Sequence, residues 1–152
     1  MKIYFAGSIR GGREDAGVYW AMIEFLRTFG EVLTEHVGDL DLTEKGDDGP
    51  SDRFIHDRDM EWLRRCDLVV AEVSQPSLGV GYELGWAAAW HKPTLCLFRT
   101  SQASLSAMVA GSAALETVLY SSLAEAQLQI SDFIRKNSRS LSSSQALKAG
   151  GE

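Results

Sequence analysis

The sequence predicts an α/β fold: a doubly wound, five-stranded parallel sheet of the flavodoxin-like or Rossmann-like type. Three observations predict it. Short apolar runs such as Ile3-Tyr4-Phe5-Ala6 and Leu68-Val69-Val70-Ala71 alternate along the chain with stretches of helical period. Ser, Gly or Pro marks the switches between them, and such alternation builds right-handed βαβ units with parallel strands. The 152 residues suffice for one compact domain with its own core, and no internal repeat is visible.

Each element follows from local pattern. Residues 1–7 read as a first strand and 8–12 as a loop. Residues 14–29 read as a helix with Val18, Met22, Phe25, Leu26 and Phe29 on one face, stopped by Gly30. Residues 31–36 form the second strand. Residues 37–49 carry Asp39, Asp41, Glu44, Asp47 and Asp48 among glycines and read as a loop. Ser51 or Asp52 caps a second helix that runs to about Cys66. Residues 67–73 form a buried third strand, followed by a Ser/Gly turn over 74–81 and a helix through 86–90. Pro93 closes that helical region, and 94–98 form the fourth strand. A short helix over 104–110, a strand over 115–120 and a helix over 123–136 complete the domain. Residues 137–152 are rich in Ser, Ala and Gly and are expected to be disordered.

Composition excludes several classes of partner. The net charge of −6 argues against a surface that coats nucleic acid, because phosphate backbones demand clustered Lys and Arg. A small anionic ligand remains open, since local N–H groups outweigh the global field. No apolar run approaches the roughly 20 residues of a membrane span, and no signal peptide is visible. Cys66 and Cys96 have no metal-ligand spacing and read as reduced core thiols, so the expected location is cytoplasmic, nuclear or both. There is no His/Cys/carboxylate cluster at metal spacing, and neither a metal nor a cofactor is expected.

Chemistry concentrates in two Ser/Gly turns. Gly7-Ser8-Ile9-Arg10-Gly11-Gly12-Arg13 follows the first strand. Its N–H groups, Ser8 and Arg10 suit an anion or a sugar hydroxyl, although a flexible turn with a solvated Arg fits this segment equally well. Ser74-Gln75-Pro76-Ser77-Leu78-Gly79-Val80-Gly81 follows the third strand and offers N–H groups and hydroxyls to a phosphate. It is not a dinucleotide fingerprint, because its glycine spacing and its position in the chain are wrong, and no Gly-Lys-Ser/Thr loop occurs. Both turns should lie at the carboxyl ends of the strands, where such sheets bind ligands.

Two carboxylates stand beside these turns. Glu83 lies one turn into the helix that the second turn opens. Asp59 shares a helix face with Ile55, Trp62 and Leu63, an apolar setting in which an unpaired Asp is costly. A buried ion pair, for instance with Arg10, also accounts for Asp59. As a pair, the two could flank one glycosidic bond. The helix N-terminus favours ionised Glu83 as nucleophile, and an apolar setting would raise Asp59 and suit it as acid.

With these residues in view, the chain resembles the 2'-deoxynucleoside 5'-monophosphate N-glycosidases, relatives of the nucleoside 2-deoxyribosyltransferases. The resemblance runs from Lys2 to about Tyr120 and rests on Tyr4-Phe5-Ala6-Gly7-Ser8-Ile9-Arg10-Gly11-Gly12-Arg13, Leu33-Thr34-Glu35-His36, Phe54-Ile55-His56, Val70-Ala71-Glu72-Val73, Gln75-Pro76-Ser77-Leu78-Gly79-Val80-Gly81-Tyr82-Glu83-Leu84-Gly85, Lys92-Pro93 and Leu105-Ser106-Ala107-Met108. It implies a homodimer that splits a deoxynucleoside monophosphate into base and 2-deoxyribose 5-phosphate. It further implies Glu83 as nucleophile, Asp59 as proton donor to the base, and Tyr4 as the hydrogen-bond partner of Glu83. Ser8, Ser77, Gly79 and the partner subunit's Ser106 would hold the phosphate. Ile9 and Ile55 would sandwich the base, with Met108 nearby. Two alternatives remain: a deoxyribosyltransferase that passes the sugar to a second base, and a non-catalytic nucleotide sensor on the same fold.

Overall fold

The computed structural model describes residues 1–9, 15–38, 51–101 and 104–149. Its elements run β1 (Lys2–Ala6), α1 (Ala16–Arg27), β2 (Glu31–Val32), a 3-10 turn (Glu35–Gly38), α2 (Asp52–Arg65), β3 (Leu68–Glu72), α3 (Leu78–Ala89), β4 (Thr94–Arg99), α4 (Ala107–Ala110), β5 (Glu116–Tyr120) and α5 (Leu123–Ala149). The five strands are parallel, in the order β2-β1-β3-β4-β5. That is the flavodoxin-like order, with its reversal point between β1 and β3. The loops after these two strands open side by side at the carboxyl edge of the sheet.

Strand periodicity sorts the core into two layers. Ile3, Phe5, Leu68, Val70, Leu95 and Leu97 pack with Tyr19, Met22 and Leu26 of α1 and Ile130 and Phe133 of α5. The alternate residues Tyr4, Ala6, Val69, Ala71 and Cys96 pack on the other face with Leu63 of α2 and Val80, Leu84 and Ala87 of α3. The strands are apolar on both sides because helices cover both sides. The same alternation turns Tyr4 away from Ile3 and Phe5, toward α3.

Three boundaries correct the sequence expectations. β2 is only Glu31–Val32, because Thr34 replaces the ladder: its hydroxyl accepts from Phe5 N–H at 2.8 Å and donates to Phe5 C=O at 2.7 Å. α1 ends at Arg27, before Gly30. The place of Gly30 is set instead by a close approach, since a Cβ there would sit 2.3 Å from the Met1 carbonyl oxygen. α5 continues through Ala149 rather than ending at Lys136, and no Gly or Pro interrupts residues 123–149. Most of the acidic stretch 37–49 lies outside the described residues. Among the described residues no helix is long and apolar enough to cross a membrane.

α2 is fixed at both ends. Ser51 Oγ accepts from Phe54 N–H at 3.2 Å, the cap the sequence predicts. At the far end Lys92 Nζ donates to the carbonyls of Arg64 and Cys66 at 2.6 and 2.7 Å. These bonds satisfy helix-end carbonyls and place a cation at the negative end of the dipole.

Candidate active site

Between α2 and α3, above the β1/β3 reversal point, lies a cavity of about 700 Å³. The loop after β1 gives Gly7 and Ile9 to its wall. α2 gives Ile55, Arg58 and Asp59, and the start of α3 gives Ser77, Gly79 and Glu83. A turn over residues 73–77 leads into α3, so Gly79 and Gly81 are helical rather than part of the loop. Ser77 is the N-cap, its Oγ accepting from Val80 N–H at 3.3 Å. The N–H groups of Leu78 and Gly79 are left without intrahelical partners, as in any first turn. A Cβ on Gly79 would meet nothing closer than Ser77 Oγ at 3.8 Å. The protein's own packing therefore leaves the Gly79 α-carbon uncrowded on the side a Cβ would take.

Tyr4 Oη donates to Glu83 Oε1 at 2.6 Å. Burial pushes the Glu83 carboxyl up to about 7; the Tyr4 hydrogen bond opposes this and the nearby Asp59 charge adds to it. Glu83 is the sixth residue of α3, beyond the reach of the helix N-terminus. The expectation of a carboxylate kept ionised by the helix is thus corrected: desolvation wins. Burial, then the Glu83 charge, raises the Tyr4 phenol well above its usual range, so Tyr4 is a donor at any working pH.

Asp59 also departs from the expected apolar setting. Arg58 Nε donates to its Oδ1 at 2.9 Å, and the Asp59 side chain is 21% exposed. The ion-pair partner is the neighbouring Arg58; Arg10 lies outside the described residues. The Arg58 guanidinium in turn stacks over Trp62 at 4.6 Å and reaches His36 Nε2 at 3.3 Å. Arg58 thus holds Asp59 in place, while the Tyr4 phenol and the Glu83 carboxyl feel its charge.

The structure brings together Tyr4, Ile9, Ile55, Asp59, Ser77, Gly79 and Glu83 around one cavity. Ser8 is buried between Gly7 and Ile9, and its Oγ has no hydrogen-bond partner among the described residues. Gly11, with Arg10, lies outside them. Gly81 and Ser106 line a second cavity of about 460 Å³ on the far side of the Ser77 turn. Met108 is 84% exposed and borders neither cavity, so one chain alone does not bring Ser106 or Met108 to Glu83. His36, Asp52, His56 and Arg58 line the main cavity without having been picked out as site residues. Asp52, His56 and Arg58 lie on α2 among other charged residues and His36 lies in the 3-10 turn, so only their fold neighbours set them apart. Among the described residues no group of His, Cys, Asp and Glu could hold a metal ion.

Residues 3–141 match the nucleoside 2-deoxyribosyltransferase family. The chain belongs to that family. It is 60% identical over 114 residues to the 5-hydroxymethyl-dUMP N-hydrolase of Esox lucius, covering 73% of this chain and 79% of that one. It is 58% identical over 113 residues to the Mus musculus protein of the same name, covering 73% of this chain and 65% of the mouse protein. Among solved structures, the solution structure of BlsM superposes with a TM-score of 0.68 at 26% identity, covering 90% of each chain. The family and the five-stranded parallel sheet therefore agree with the fold and the resemblance read from sequence.

Proposed function

We propose that this family member hydrolyses the N-glycosidic bond of 2'-deoxynucleoside 5'-monophosphates, releasing the base and 2-deoxyribose 5-phosphate. The observation that carries the reading is the part-buried Tyr4–Glu83 pair, with Glu83 and Asp59 lining one cavity together with the Ser77-capped start of α3. A phosphate at the amides of Leu78 and Gly79 would sit where the helix N-terminus favours an anion. The family's relatives are N-hydrolases of a deoxynucleoside monophosphate, 5-hydroxymethyl-dUMP.

The mechanism follows from the carboxyl pair. A Glu83 oxygen attacks the anomeric carbon, forming a carbon–oxygen bond as the carbon–nitrogen bond to the base breaks. The base leaves with a proton delivered by Asp59. A water then adds to the anomeric carbon, its proton returns to Asp59, and Glu83 is released. Tyr4 orients the attacking oxygen and stabilises its anion. Ile9 and Ile55 supply apolar walls for the base.

The active form in this reading is a two-fold dimer in which the partner's Ser106 completes the phosphate site. Leu78, 97% exposed at the start of α3, and the exposed Met108 are apolar surface that such a partner would cover. A second reading is transfer of the deoxyribosyl group to another base, which the family's own description favours. Both share the glycosyl-Glu83 species and differ in whether water or a base attacks it. Incubation with deoxyribo- and ribonucleoside monophosphates, 5-hydroxymethyl-dUMP and unphosphorylated nucleosides, with a second base present or absent, tests the reading. Free base from the deoxy monophosphates alone is the expected result. A new nucleoside as main product favours transfer, and equal rates on a nucleoside and its monophosphate overturn the phosphate assignment.

A further inference from the structure

A second carboxylate is buried on the opposite face of the sheet, outside every step above. Glu72, the last residue of β3, is 0% exposed. Tyr120 Oη donates to its Oε1 at 2.9 Å, and Ser74 donates twice, through N–H at 3.2 Å and through its hydroxyl. Ser74 Oγ accepts from Arg99 N–H at 2.7 Å. Arg99 Nε donates to Tyr120 Oη at 3.2 Å, and its guanidinium pairs with Asp15 at 2.8 Å. One carboxylate thus ties the ends of β3, β4 and β5 and, through Arg99, the start of α1.

A buried carboxylate needs such donors merely to be tolerated. Its effect lies in what the donors belong to. Ser74 opens the turn that ends at Ser77, the cap of the helix carrying Gly79 and Glu83, and Glu72 grips that first residue at two atoms. The charged and titratable groups around it are Asp15 and Tyr19 from α1, Arg99 from β4 and Tyr120 from β5. Tyr19 feels the Glu72 charge and accepts from Ser8 N–H at 3.3 Å. The same cluster therefore underlies both turns at the β1/β3 reversal point. A site built from backbone N–H groups depends on placement to about 0.5 Å.

We propose that Glu72, acting through Ser74 and Tyr120, is the positioning residue of the phosphate-binding turn. The proposal rests on the nucleotide reading above and adds a residue that never meets substrate. Tyr120→Phe deletes the phenol's bonds to Glu72 and Arg99 and keeps the ring, Ser74→Ala deletes the hydroxyl, and Glu72→Gln mismatches the Ser74 N–H. The readouts are kcat and KM for a deoxynucleoside monophosphate, the Kd of 2-deoxyribose 5-phosphate by calorimetry, and Tm. Tyr120→Phe and Ser74→Ala should each raise KM and Kd roughly 3- to 10-fold, the scale of one hydrogen bond, with kcat within about twofold of wild type. Glu72→Gln should do more or fail to fold; the other two variants keep the test alive. Folded variants with wild-type KM and Kd, or with kcat lost at unchanged KM, overturn the proposal and leave the network structural. Wild-type protein that does not bind 2-deoxyribose 5-phosphate overturns the phosphate reading itself, and the proposal with it.

Discussion

Tyr4 Oη and Glu83 Oε1 stand 2.6 Å apart, joining the second layer of the sheet to the middle of α3. The bond lowers a carboxyl that burial has raised to about 7. A nucleophile must be ionised, so its availability rises with pH through that value. In the free protein the Glu83 limb of kcat/KM for a deoxynucleoside monophosphate should therefore rise between about pH 6 and 8. Tyr4→Phe removes the lowering interaction, so the climb should move to higher pH, with the loss largest at acidic pH. A pH–rate profile of both proteins checks this. The substrate's own phosphate titration is common to the two profiles and cancels in the comparison. A profile of Tyr4→Phe parallel to wild type contradicts the assignment.

Glu83 should also cost stability. Its folded pKa of about 7 lies above the ordinary 4.5. Between these values the unfolded chain binds fewer protons than the native one, so stability falls as pH rises through that window. Glu83→Gln, an uncharged side chain of the same shape, escapes this penalty. The variant should melt close to wild type near pH 4.5 and above it at pH 8, by on the order of 1–3 kcal/mol. Its turnover should fall on the order of 10³-fold or more. Thermal melts across pH measure the first claim. A wild-type protein more stable than Glu83→Gln at pH 8 contradicts it.

His91 offers a test of the fold alone. It follows the cap of α3 at φ 54°, the one non-glycine residue with positive φ among those described. Its N–H and that of Lys92 close the helix end on Ala88 and Ala87 carbonyls at 3.1 and 2.9 Å. Glycine takes this conformation without the Cβ contact that strains His91. His91→Gly should therefore be neutral to stabilising by about 0.5–1 kcal/mol, against the entropy glycine adds to the unfolded chain. Chemical denaturation reads this directly, and a loss above about 1 kcal/mol would assign His91 a contact of its own.

The fold was legible because strand and helix periods are sharp here, and both turns sit where a parallel sheet must place its loops. Glu83 was legible from its place in the helix that the second Ser/Gly turn opens, and Asp59 as a carboxylate on an otherwise apolar helix face. The Tyr4–Glu83 contact came from the family resemblance and not from any pattern in the chain, since 79 residues separate the partners and only the packing of β1 beneath α3 joins them. The electrostatic setting of the two carboxyls was not legible, because it depends on burial and packing. Arg58, adjacent in sequence to Asp59, supplies the ion pair, while Glu83 lies too deep in α3 for the helix end to help it. The short β2 depends on one threonine hydroxyl replacing a ladder, which no hydrophobic pattern reveals.

The final prediction concerns the partner subunit. Ser106 borders the second cavity, across the Ser77 turn from Glu83, and within one chain does not reach the catalytic cavity. If the partner's Ser106 closes the phosphate site, Ser106→Ala should mainly raise KM, since it removes binding common to ground and transition states. A hydrogen bond to a charged group is worth roughly 1.5–3 kcal/mol, or about 10- to 100-fold in kcat/KM. Ser106→Glu should abolish activity, because a carboxylate would repel the phosphate. Mixing inactive Glu83→Gln chains with inactive Ser106→Glu chains should then restore activity. One of the two sites in each mixed dimer pairs an intact Glu83 from one chain with an intact Ser106 from the other. With free exchange about half the dimers are mixed and each has one working site, so recovery should approach roughly a quarter of the wild-type rate. No recovery after verified subunit exchange, or full activity from a monomer at assay concentration, contradicts the composite site.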